Sequence, residues 1–125
     1  MNLEQQVCSL DLAKRLKELV VKQESYFVWV EGAVSKGNAD FWHVRPRHEP
    51  EPNKRAVAAF TVAELGDMLP DTTLHNIVAN DITVGGEPRR GWRYLAGRSP
   101  IRSDSEADIR AEVLIYLIEN KLIEV

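Results

Sequence analysis

The sequence predicts an α+β domain: an antiparallel four-stranded sheet of two hairpins, with three packed helices, in the order α-ββ-α-ββ-α. Three observations predict it. An apolar C-terminal segment opens at Ser105 and Asp108, spaced to cap backbone amides that lack partners. Short aromatic and β-branched stretches around Trp29, Trp42 and Trp92 are too brief for stable helices and read as strands. A second capping box, Thr61 and Glu64, stands between the two strand pairs. Hairpins separated by helices favour an antiparallel sheet with helices on it. No internal linker divides the chain, so residues 1–125 read as one domain, long enough to bury a core without staples.

Each element has its own warrant. Ser9 is placed to cap a helix from about Leu10 to Val20, with Leu12, Leu16, Leu19 and Val20 inward and Lys14, Arg15, Lys17 and Glu18 outward. The stretch Tyr26–Glu31 follows as a strand. Tyr26, Val28 and Val30 point one way, Phe27 and Trp29 the other. Both faces are apolar, which suits an inner strand covered on both sides or one that meets another subunit.

Lys36-Gly37-Asn38 signals a turn, and Asp40–Arg45 reads as the return strand. Residues 46–54 hold three prolines and form a loop. A short helix is expected over Val62–Leu69, ended by Pro70. Ile77–Ala79 and Ile82–Val84 are strand-like pieces broken by Asn80-Asp81. Gly85-Gly86 turns the chain into a strand around Trp92–Leu95, and an arginine-bearing loop leads to the final helix. There, Ala107, Ala111, Leu114, Ile118 and Leu122 share a face that Val113, Ile115 and Leu117 widen until the helix must be buried nearly all round.

Composition narrows the function classes. Apolar content of 44% and charged content of 28% are ordinary for a soluble globular protein. One cysteine, Cys8, implies neither an internal disulfide nor a cysteine zinc site. The amino terminus does not read as a signal peptide and no apolar run has membrane length, so a cytoplasmic protein is expected. A net charge of −3 opposes general nucleic-acid binding. The charge is uneven, however. Residues 85–102 carry Arg89, Arg90, Arg93, Arg98 and Arg102 against Glu87, a local +4 that leaves −7 on the remainder.

Three blocks taken together, Leu16–Val30, Phe60–Pro70 and Ser105–Ile123, resemble an uncharacterised family of small hypothetical proteins encoded by phages and prophages. The similarity spans most of the chain in the same order, with the loops differing. It implies a mobile-element origin and a cytosolic setting, and it brings no catalytic residues.

No catalytic constellation stands out. His43, His48, Glu49 and His75 lack the convergent spacing of a metal site. Asp104, Glu106 and Asp108 sit at a helix start, where capping accounts for them. Cys8 has neither a histidine neighbour nor a basic setting, and Gly85-Gly86 lacks the phosphate-cradle pattern. No metal or cofactor is expected.

The sharpest lead is Arg89, Arg90 and Arg93 around Trp92, since guanidinium groups grip phosphate and an aromatic can stack a base. A solvated hairpin whose arginines face the acidic remainder of the chain is the plainer account. Phe27, Trp29 and Trp42 are candidate interface residues, and Trp29 and Trp42 suit the core or a sheet face better than ligand stacking, since large aromatics dominate burial. The favoured reading is a non-enzymatic accessory protein that binds another protein or itself, as a homodimer through a sheet face or the last helix. The alternative is nucleic-acid or nucleotide binding through residues 85–102. No membrane partner is expected.

Overall fold

The computed structural model describes residues 3–31, 42–47, 56–95, 101–103 and 105–123. In chain order these form α1 (Leu3–Gln6), α2 (Leu10–Glu18), β1 (Phe27–Glu31), β2 (Trp42–Pro46), β3 (Val57–Ala58) and α3 (Val62–Met68). Then come α4 (Asp71–His75), β4 (Ile77–Val84), β5 (Glu87–Tyr94), β6 (Ile101–Ser103) and α5 (Glu106–Glu119).

The fold is α+β, but the expected single four-stranded sheet is wrong. There are two antiparallel three-stranded sheets among the described residues, ordered β2-β1-β3 and β4-β5-β6. The expected three helices become four, besides the single turn α1. Each hairpin recruits a third short strand from the chain that follows it. Val57–Ala58 pairs with Val28 and Trp29 of β1, and Ile101–Ser103 pairs with Trp92–Tyr94 of β5. The reason lies in α5. Seven of its residues are buried: Ala107, Ile109, Ala111, Val113, Leu114, Ile115 and Leu117. A helix apolar on nearly every side needs cover all round, which one sheet on one side cannot give. Accordingly α5 packs against α2 and α3 as well as β5 and β6, while α2 also packs on β3.

The strand at Tyr26–Glu31 is an inner one. In β1, Val28, Trp29 and Val30 are all buried, so both faces are covered, while Tyr26 lies before the strand, exposed. Asn80-Asp81 does not break β4, which runs eight residues in unbroken register with β5. Pro70 ends α3 but serves as the N-cap of α4, a helix not expected from the sequence. The expected turn at Lys36–Asn38, and the proline loop beyond Arg47, lie outside the described residues.

Both long helices end in the same device. After α5, Lys121 N–H donates to Ile118 O and Leu122 N–H to Leu117 O, with Lys121 at φ 57°. After α2, Val20 N–H donates to Lys17 O and Val21 N–H to Leu16 O, with Val20 at φ 66°. This paired closure wants glycine at the left-handed position. Val20 was expected inward. Instead the chain reverses there, Val21 is buried over Leu16, and Val20 is 81% exposed. Leu122 likewise lies past the end of α5 and is exposed. A β-branched residue in left-handed backbone is strained and Val20 packs on little, so Val20→Gly is expected to stabilise by about 1 kcal/mol. A urea midpoint unchanged or lowered would contradict this.

Candidate functional site

The strand β5 carries the arginine lead, and its two-residue repeat divides it. Positions 90, 92 and 94 fall on one side of the sheet, and positions 89, 91 and 93 on the other. Tyr94 is buried and meets Tyr116 of α5 edge-on at 6.3 Å, which marks its side as the one facing α5. Trp92, on that side, is half-buried and packs against the core. Arg93 is on the opposite side, directly across from Arg102 of β6. Arg89 and Arg90 pair in the backbone register with Ile82 and Asp81. Trp92 and Arg93 are thus adjacent in sequence but separated by the sheet. The mean hydrophilicity of the segment could not reveal this; strand alternation could, once the strand was known to continue to Glu87. Arg98 lies outside the described residues.

The three candidate interface aromatics go inward to different degrees. Trp29 is buried and its indole N–H donates to Cys8 O at 3.0 Å. Phe27 and Trp42 are half-buried against the core, and the Lys14 ammonium sits 4.8 Å from the centre of the Trp42 ring.

Cys8 is no nucleophile here. Its residue is fully buried, and burial pushes the thiol up to about 12. A thiol-reactive reagent at pH 8 is therefore expected to leave the folded protein unlabelled and to react once urea unfolds it; fast labelling of the native chain would contradict that. Among the described residues, no group of three or more histidines, cysteines or carboxylates could hold a metal. His48 and Glu49 lie outside those residues.

Of the carboxylates near helix starts, Glu64 and Asp108 accept backbone N–H groups, Glu106 instead meets Arg110 at 3.5 Å, and Asp104 lies outside the described residues. Glu64 Oε1 accepts from Thr61 N–H at 2.9 Å, and Oε2 accepts from Tyr26 N–H at 3.1 Å. That second bond ties α3 to the entry of β1. Glu64 also lines an open depression of about 370 Å³ with Glu24, Ser25, Tyr26 and Arg47. Glu112 differs: burial raises its carboxyl above the usual 4.5, and the Asp108 charge adds to this. The folded chain therefore holds that proton more tightly than the unfolded chain, and ionising it costs stability above the raised value. Glu112→Gln should raise Tm at pH 7, with the gain fading as pH falls toward 4.5. A pH-independent difference would refute it.

What remains is a strand edge. Among the described residues the sheets present four edges, β2, β3, β4 and β6. β2 ends in Pro46, β3 has two residues, and β6 has three with Arg102 exposed. These are ordinary protections against edge pairing. β4 has eight residues without proline or lysine, and Ala79 on it is exposed. β6 reaches only Trp92–Tyr94, so the far part of the β4–β5 hairpin pairs only with itself among the described residues.

The turn sets which groups face outward. Gly85 and Gly86, at φ 60° and 82°, make the two-residue turn suited to the hairpin twist. In such a turn Val84 C=O receives Glu87 N–H, so Val84, Ile82, Asn80 and Val78 are the bonded partners of β5. Backbone N–H and C=O groups of Ile77, Ala79, Asp81 and Thr83 point away from β5. No protein-family model, curated protein or solved structure matches this chain. No helix among the described residues is long and apolar enough to cross a membrane.

Proposed function

We propose that this chain is a non-enzymatic accessory protein of phage or prophage type that acts by contact with another protein or a second copy of itself. The contact runs along the edge of β4 that has no strand partner among the described residues. The observation that carries this reading is the contrast, among the described residues, between that eight-residue edge and the three short or proline-ended ones. An exposed edge adds a strand from a partner through main-chain hydrogen bonds, without any need for a pocket. The motive shifts from the sheet face and last helix to the edge, because β1 and α5 are already covered within the chain. The phage setting follows the resemblance of the three blocks.

Light scattering over a concentration series tests the self-contact. The mass is expected to rise from 14.2 kDa toward twice that value. Ala79→Pro, which removes an outward N–H and no bond to β5, should hold it at the monomer with an unchanged circular dichroism spectrum. A wild-type mass fixed at 14.2 kDa up to about 1 mM, where a contact worth about 4 kcal/mol half-forms, would overturn self-association.

One observation favours the second reading, nucleic-acid or nucleotide binding through residues 85–102. Arg93 and Arg102 stand directly opposite, a like-charge pair that an anion would relieve. Binding of a short DNA or RNA duplex or single strand should then weaken steeply with salt and be lost in Arg93→Ala/Arg102→Ala. No mobility shift at low salt would remove it.

A further inference from the structure

We propose that the second copy docks β4 against β4, antiparallel, with residue 80 opposite itself, joining two three-stranded sheets into one of six strands. This rests on the contact reading above and specifies its occupant and register. An edge-to-edge pair between identical strands has its two-fold axis perpendicular to the sheet, so each face stays on its own side. Residues then meet only partners an even number of positions away. The pairing must centre on a residue, not between two.

Two centres give the longest overlap within β4. Centring on Asn80 pairs residues 77–83 with themselves reversed, and centring on Asp81 pairs 78–84. The second sets Asp81 against Asp81, and like charges directly opposite are destabilising. The first sets Asp81 opposite Ala79, Val78 opposite Ile82 and Ile77 opposite Thr83, with Asn80 at the centre. No charge then stands directly opposite its like, and the β-branched residues stand opposite one another, which is the pairing sheets favour. The hydrogen bonding agrees. Ala79, Asp81, Ile77 and Thr83 are the residues whose backbone groups face outward, so they become the bonded pairs between copies. The strand is complementary to itself about residue 80, and a second copy is the partner that this register fits.

Cysteine cross-linking tests this on the whole chain. In a non-bonded antiparallel pair, Cα atoms lie about 4.5 Å apart, inside the range of about 4.4–6.8 Å that a disulfide spans. Asn80→Cys under mild oxidation is expected to give a covalent dimer on a non-reducing gel. Asp81→Cys and Ile82→Cys should give at least tenfold less, and the wild type none, since Cys8 is buried. If light scattering shows a dimer but the link forms at 81 or 82 in preference to 80, or at none, the register fails while the contact reading stands. A monomer by light scattering overturns both.

Discussion

Replacing Phe60 by alanine should cost about 3–5 kcal/mol, the range for deleting a buried aromatic ring. Phe60 heads the fully buried side chains, at 1% exposure. Deleting its ring removes the transfer free energy of that surface and leaves a cavity. The cavity cannot close easily, because the backbone at 60 is pinned. Phe60 C=O accepts from Cys8 N–H at 2.9 Å, and the next residue, Thr61, both bridges to Val7 and caps α3. Cys8 C=O is held in turn by the Trp29 indole. Set against the roughly 5–15 kcal/mol typical of a whole domain, about 4 kcal/mol is a large share of the total. Urea titration reads the effect directly. A loss under about 1 kcal/mol would mean that the surrounding helices collapse into the space.

The second large effect is expected at Asp108. Asp108→Ala should cost about 1.5–3 kcal/mol, the range for a hydrogen bond to a charged group. Its Oδ1 accepts from the backbone N–H of Ser9 at 2.7 Å, joining the starts of α2 and α5. The two helices run in the same direction, since Arg15 of α2 meets Glu119 of α5 at 3.3 Å near their other ends. Parallel helix dipoles bring two positive ends together, and a carboxylate between them offsets that. Asp108→Asn keeps an acceptor and loses the charge, so it should fall between alanine and wild type. Arg15→Ala is the control: that pair is exposed, and breaking it should change stability by less than about 1 kcal/mol. Equal losses at 15 and 108 would refute the dipole argument.

Asp108 also shows how much of this was legible in the sequence. Its place at a helix start was readable, because capping is local and uses residues three apart. The Thr61–Glu64 box formed in full, and Ser105 accepts from Asp108 N–H. Ser9 did not behave so. It is the N-cap of α2, but its side chain makes no capping bond; instead its own backbone N–H is served by Asp108, 99 residues away. Val20 was misplaced for a related reason: helical periodicity says which face is inward, not where a left-handed residue will reverse the chain. Asn80-Asp81, read as a break, gave way to the pairing of β5 across it, since tertiary context overrides strand propensity. The arginine segment was conspicuous as charge. Its division across a sheet was invisible while the strand's start was unknown.

By itself, the sequence determined the α+β class, the two hairpins, the capped helix starts at Thr61 and Ser105, and the demand of the last helix for cover on every side. These follow from local signals: periodicity, turn residues and spacing between capping pairs. Only the tertiary structure decided that the hairpins part into two sheets, that β3 and β6 complete them, and that β4 has no outer partner among the described residues. Strand pairing is a choice among edges far apart in the chain, and it is settled by which arrangement buries α5, a quantity no local window contains.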